Sequence, residues 1–414
     1  MARHWLRAAA HGFTVALVHR LVLTVWLAVA WMIVQTYLPG TAGADFHANA
    51  DANLPSLDSP AEQNLLAVWR RWDAVHYLNL AYNGYEAVQP GSTVFGVLTP
   101  LVLRVAALPF SGLSAPIDVG SIVVQTLAFG AALTLLYRFC TVYFDDEHLG
   151  LASIMAMALM PLSFYFAAPM SESLYLLLAL AVAYASLRGR WLAAALFGFL
   201  AVLSRSQGVI LAGVSGVFLL EQVGWRLTIV STWRGALLRA VRVGWVLAFI
   251  PMGLLVFSAY RDSLGLPSLG DTYYNYSYHF FVNPLEGLWI NIQWIAAHAG
   301  VALRTVDILV MLLAFVLTGI QIAVPSHRKL PLIAFTVGHL LVYLSKINWE
   351  WGSNEVVLFS QSFARYAIVL FPLVILIADG VRRLPMIPRL LIGGACGALL
   401  LIASGLYTVA LVGP

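Results

Sequence analysis

Two carboxylates and a scatter of arginines carry the chemistry this sequence could perform. Asp73 stands in Arg71-Trp72-Asp73-Ala74-Val75-His76-Tyr77-Leu78, with Asn83-Gly84-Tyr85-Glu86 following. Glu172 stands in Pro169-Met170-Ser171-Glu172-Ser173-Leu174-Tyr175. A carboxylate held on a rigid element can take a proton in a transition state. Arginine and lysine at a membrane surface can hold an anionic group through charge-assisted hydrogen bonds. Arg205 and Arg365 are the first candidates for that task, with Lys346 and Arg104 behind them. Each residue also has a plainer reading. Asp73 can be half of a helical ion pair with Arg70, worth a few tenths of a kcal/mol. Glu172 can be a first-turn acid favoured by the helix dipole, the arginines can snorkel to the interface, and His76 can simply be hydrogen-bonded. Asp45, seven residues past the first apolar run, is the rival base. No His or Asp pair shows metal-ligand spacing, so a divalent metal is not signalled.

The elements that must position these residues follow from composition. Of 414 residues, 61% are apolar and 10% charged, and the mean hydropathy is +0.85. Soluble domains carry about 25% charged residues, so a soluble enzyme is excluded. Disordered, collagen-like and disulfide-scaffold chains are excluded too: Cys140 and Cys396 both lie in apolar runs. The net charge of +4 comes from scattered arginines, as in cytoplasmic loops of membrane proteins, and gives no reason to expect nucleic acid. The chain is read as an all-α polytopic membrane protein and a single integral-membrane domain over 1–414.

Apolar runs at 21–38, 119–143, 151–168, 172–187, 191–204, 208–221, 243–260, 303–324, 331–345, 365–380 and 389–412 give about eleven transmembrane helices. The first follows Arg3, Arg7 and Arg20 and is long for a signal peptide, so it reads as a retained span with a cytoplasmic N-terminus. The run 93–110 is broken by Thr99-Pro100 and contains Arg104. Leaving it on the outer face keeps Arg138, Arg188, Arg190, Arg328, Lys329, Arg382, Arg383, Arg389 and the basic 226–242 loop on the cytoplasmic side. That parse places most acids outside and leaves the span middles almost free of charge. A flippase or transporter of lipid-linked sugars, the rival reading, would thread ionisable groups through the bilayer interior. A non-catalytic assembly partner, a third reading, would tolerate loss of Asp73.

The first outer loop, about 39–118, is the most informative segment. Ser59-Pro60-Ala61-Glu62 forms a capping box with proline at the first helical position. The spacing predicts a helix from there to Asn83, where Gly84 can take a left-handed terminal position. Leu65, Val68, Trp69, Trp72 and Val75 form an apolar stripe suited to the membrane surface, and Arg70, Asp73 and Tyr77 share another face. In the later outer loops, Tyr273-Tyr274-Asn275-Tyr276-Ser277-Tyr278-His279-Phe280-Phe281 and Trp349-Glu350-Trp351 fit an interfacial aromatic belt or a sugar platform.

The block from Arg71 to Leu78 through Gly84-Tyr85 resembles the RWD-A-hydrophobic block of PIG-V-like mannosyltransferases, which include the enzyme adding the second mannose in GPI-anchor synthesis and its prokaryotic relatives. Three further blocks follow in the same order: Met170-Ser171-Glu172-Ser173-Leu174, Ser204-Arg205-Ser206-Gln207-Gly208, and Ala364-Arg365-Tyr366 with Phe371-Pro372. The chain departs from the family pattern at Met170, at Gln207 and in Phe95-Gly96-Val97-Leu98-Thr99-Pro100. The resemblance implies a GT-C-type fold with juxtamembrane helices in a catalytic first outer loop. It also implies an inverting glycosyltransferase that moves a sugar, with mannose indicated, from a polyprenyl-phosphate-linked donor to a lipid, glycan or protein acceptor. On that reading Asp73 is the base, and Glu172 is a second carboxylate that orients it or the acceptor. Arg205, Arg365, Lys346 and Arg104 hold the donor phosphate, and Arg71, Trp72, His76, Tyr77, Glu86 and Gln207 support them. No cofactor is implied beyond the lipid-linked donor. The compact length and the arginine-over-lysine bias point to a prokaryotic cytoplasmic membrane, with the site on its outer face.

Overall fold

A computed structural model describes residues 2–37, 53–57, 59–224, 233–302, 305–350 and 357–408. Asp45, the rival base, lies outside these residues. The described chain is almost wholly helical, with one short antiparallel ladder, His279–Phe281 against Lys346–Asn348. Among the described residues, five helices are long and apolar enough to cross a membrane: Arg3–Tyr37, Pro116–Tyr143, Ala240–Ser263, Val306–Ala323 and Met386–Thr408. Four shorter apolar helices accompany them: Glu147–Leu159, Glu172–Leu187, Trp191–Ser204 and Leu330–Ser345. This is the architecture of a polytopic membrane protein. The chain forms two compact units, one of Met1–Arg138, Glu147–Leu174 and Ile377–Pro414, the other of Phe139–Asp146 and Tyr175–Leu376.

In the first unit, polar contacts fix the direction of each long helix. Arg7 Nη1 meets Glu147 Oε2 at 3.2 Å, and His19 Nε2 lies 3.0 Å from Ser163 Oγ, so the Glu147–Leu159 helix runs parallel to the first helix. The Trp26 indole donates to the Leu401 carbonyl at 2.7 Å. The helix Pro116–Tyr143 runs the other way, bringing Thr126 to 3.0 Å from Arg20 Nε. The described part of the loop after the first helix therefore packs at the end of this unit remote from the N-terminus.

Within that loop the predicted helix is real at both ends and broken in its middle. Ser59 caps Pro60–Leu65 with both halves of the capping box formed, and Gly84 ends Asp73–Asn83 at φ +80°. Between them lie a 3-10 turn, Ala67–Trp69, and a reversal at Trp72. The single helix expected over 60–83 gives way because Arg70 and Arg71 find stronger partners off the helix axis. The broken run 93–110 stays short, as a 3-10 turn at Pro90–Val94, a helix at Leu98–Ala106 and a 3-10 turn at Leu108–Phe110.

Candidate active site

Asp73 opens its helix, and the chain reaches it through a turn few L-residues adopt. Trp72 has φ 52° and ψ −136°, the dihedrals of the first central residue of a type II′ turn, where glycine is the usual occupant. The Arg71 carbonyl closes the turn by accepting the Ala74 N–H at 3.1 Å. Holding a tryptophan there costs about 1–3 kcal/mol and persists only where the surroundings over-determine it. Here they do. Arg71 is 2% exposed; its Nε donates to the Thr408 carbonyl at 2.7 Å and its Nη1 to the Ala67 and Arg70 carbonyls at 3.1 Å each. The Tyr407 hydroxyl donates back to the Arg71 carbonyl at 3.0 Å.

Arg70 does not pair with Asp73. Its Nε and Nη2 donate to the two oxygens of Asp118 at 2.7 and 3.0 Å, and its Nη1 donates to the Pro55 carbonyl at 2.7 Å. The Tyr82 hydroxyl donates to the same carboxylate at 2.9 Å. Burial, then the Asp118 charge, raise that hydroxyl above the ordinary tyrosine value.

Asp73 itself is half-buried, and the residues that follow it are held in place. His76 Nδ1 lies 2.8 Å from Ser92 Oγ, and its ring stacks on Phe95 with centroids 5.3 Å apart. The Tyr77 hydroxyl donates to Ser171 Oγ at 2.8 Å. Tyr77 thereby ties the Asp73 helix to Ser171-Glu172-Ser173, all three fully enclosed. Glu172 sits in the first turn of Glu172–Leu187. Of the two candidate carboxylates, Asp73 is half-buried and Glu172 fully buried. Glu86 is exposed beyond Gly84, and Arg104, also exposed, donates its Nε to the Ala81 carbonyl at 2.7 Å.

The remaining predicted residues belong to the second unit. Arg205 ends the helix Trp191–Ser204 in extended conformation and begins the 3-10 turn Ser206–Val209, which holds Gln207. Gly208 makes that turn possible, since a Cβ there would come within 2.6 Å of the Ala201 and Val202 backbone. The Arg205 guanidinium, 8% exposed, lies 4.8 Å from the centroid of Tyr366 and 5.8 Å from that of Tyr175. Lys346 Nζ lies 4.9 Å from the same Tyr366 ring and donates to its hydroxyl at 2.7 Å. One tyrosine thus serves both Arg205 and Lys346. The Arg205 pair gains from the ring's quadrupole, the more so when desolvated, whereas Lys346 is held at the hydroxyl edge by its hydrogen bond. Arg365 is deeply buried beside it in Phe363–Ala367. Asp307 fixes that short helix by accepting the Ser362 and Ala364 N–H groups at 2.9 and 2.8 Å. Tyr273 bonds Ser206, and burial pushes its hydroxyl up to about 12, with the Tyr366 hydroxyl adding to the effect.

Nothing in the sequence singled out Asp118 or Asp307, which meet their partners only by long-range contact. Tyr273 stood out only within the aromatic stretch 273–281, and Tyr366 only as the neighbour of Arg365 in a matching block. Among the described residues, no group of three or more His, Cys, Asp or Glu could hold a metal ion.

Comparison with known proteins adds to this geometry. The model of a family described as mannosyltransferase (PIG-V) matches residues 13–266. GPI mannosyltransferase 2 of Cryptococcus neoformans var. neoformans serotype D, in two strains, is 31% identical to this chain over 113 residues. That match covers 26% of this chain and spans 26% of the length of each of those relatives.

Proposed function

The chain belongs to the mannosyltransferase (PIG-V) family, a glycosyltransferase family, and on that premise we propose that it transfers mannose from a polyprenyl-phosphate-linked donor to a hydroxyl of a lipid, glycan or protein acceptor. The proposed setting is the outer face of a prokaryotic cytoplasmic membrane, with the N-terminus cytoplasmic. The observation that carries the reading is Asp73: a half-buried carboxylate at the start of a helix, presented by a turn whose strain the surrounding structure maintains.

In the proposed step the acceptor oxygen attacks the anomeric carbon opposite the departing oxygen. A new C–O bond forms as the bond from the anomeric carbon to the phosphate oxygen breaks, and configuration inverts. Asp73 takes the acceptor proton, an effect of about 10²–10⁴-fold. The electron pair of the broken bond leaves with the polyprenyl phosphate. Arg205 and Lys346 are proposed to hold its oxygens by charge-assisted bonds that strengthen as charge develops. Tyr366 orients both cations, lying under the Arg205 guanidinium and accepting a hydrogen bond from Lys346. Arg365, more deeply buried, and Arg104, exposed on the other unit, are the weaker phosphate candidates. Glu172 is proposed to support the Asp73 helix through the Ser171–Tyr77 contact.

The test is transfer from polyprenyl-phosphate mannose in membranes bearing the Asp73→Asn protein. Loss of about 100-fold or more in turnover, with the protein still folded, is expected. Near-normal turnover would overturn the assignment.

A further inference from the structure

The first helix carries a charged residue that the reaction does not use. Arg20 lies inside the candidate span Arg3–Tyr37 and is 8% exposed. A charged side chain buried in a protein interior is costly unless it is paired, and calls for an account. Its Nε donates to Thr126 Oγ1 at 3.0 Å, while Nη1 and Nη2 have no hydrogen-bond partner among the described residues. What the guanidinium meets instead is the face of Trp69, 5.1 Å from its centre.

Farther along the same helix the roles are exchanged. The Arg71 guanidinium lies 4.9 Å from the centre of the Trp31 ring. Eleven residues at about 100° each return to the same helix face, roughly 16 Å along the axis, so Arg20 and Trp31 address one strip of the loop. That strip is Trp69 to Arg71, immediately before the strained Trp72 and Asp73. Helix cation on loop ring, loop cation on helix ring: the two contacts cross. Side chains sliding in a plain apolar interface have no preferred register, whereas a cation over a ring centre has one.

We propose that Arg20 and Trp31 are positioning residues for Asp73, acting through crossed cation–π contacts with Trp69 and Arg71. The proposal rests on the reading of Asp73 as the base, so its test includes a measurement that needs no turnover. Hydrogen exchange of the full-length protein in detergent is followed over peptides covering 67–76, for Arg20→Met, Arg20→Lys and Trp31→Leu. Arg20→Met should speed exchange in this strip while leaving that of 386–408 unchanged. It should also lower kcat by about 10–100-fold, as a small misplacement of a reacting group does, with the donor KM within about twofold. Arg20→Lys, which keeps a cation over the ring, should restore most of both. If Arg20→Met fails to fold, Trp31→Leu carries the same expectation from the other crossing. Unchanged exchange over 67–76 in the folded variants would overturn the proposal, as would a failure of Arg20→Lys to restore it. Should Asp73→Asn keep its turnover, the base assignment falls while the exchange result still decides whether the crossed contacts hold the strip.

Discussion

Asp118 and Asp73 should respond in opposite ways to the same substitution. Asp118 is 4% exposed and accepts three hydrogen bonds from Arg70 and Tyr82. Asp118→Asn would leave a buried guanidinium without its counter-charge, costing about 3–5 kcal/mol; thermal unfolding in detergent should show a marked fall in midpoint. Asp73→Asn sits at a half-open position and should hold that midpoint while losing turnover. At Tyr366 the expected signature is kinetic. Tyr366→Phe keeps both ring faces but removes the acceptor for Lys346, so kcat/KM for the donor should fall about three- to tenfold, in line with the net loss of one hydrogen bond. Tyr366→Ala should lose more, since Arg205 also loses the ring it lies over. Unequal donor dependence of the two variants, read from initial rates, is the check.

At the scale of elements, the turn Ser206–Val209 depends on one absent methyl group. Gly208→Ala would press a Cβ to 2.6 Å from backbone atoms that cannot yield as a flexible side chain would. The turn should shift and carry Arg205 and Gln207 with it. Weaker donor binding and a lower unfolding midpoint are expected together; a variant with unaltered donor KM would show that Arg205 does not depend on this packing. The loop after the first helix shows what local pattern can and cannot reveal. Ser59, Pro60 and Glu62 declared the helix start and Gly84 its stop, because capping chemistry is local. The break at 66–72 was illegible: an apolar stripe runs through it, tryptophan is not a residue expected at a left-handed position, and Arg70 finds Asp118 48 residues away. Asp307 was invisible for the same reason, and the link of Tyr273 and Tyr366 to Arg205 comes from folding and not from spacing. Asp73 stood out in the sequence because it lies inside a recognisable block; its partial exposure became apparent only in the fold.

At the scale of the whole molecule, composition alone gave the class, and apolar runs marked most of the long helices. Their lengths were harder. The helices Glu147–Leu159, Trp191–Ser204, Glu172–Leu187 and Leu330–Ser345 have 13, 14, 16 and 16 residues. At 1.5 Å per residue they reach about 20–24 Å, short of the roughly 30 Å apolar core of a bilayer. An apolar run in sequence therefore does not equal one complete crossing. In the first unit, the N-terminal end of the first helix and the Asp73 loop lie at opposite ends. With Cys140 and Cys396 replaced by alanine, Glu86→Cys should react with an impermeant maleimide on intact cells, and Arg3→Cys only after the membrane is opened; the reverse pattern would invert the proposed orientation. The ladder His279–Phe281 with Lys346–Asn348 pairs His279 with Asn348 and Phe281 with Lys346. Side chains alternate faces along a strand, so one residue inserted just ahead of His279 would slip the register and turn each of its side chains to the other face. The His279–Asn348 hydrogen bond, 2.9 Å long, would then be lost without any change to either residue. Length, more than composition, is the parameter this stretch guards, and a reporter sequence spliced into it would be felt at Lys346.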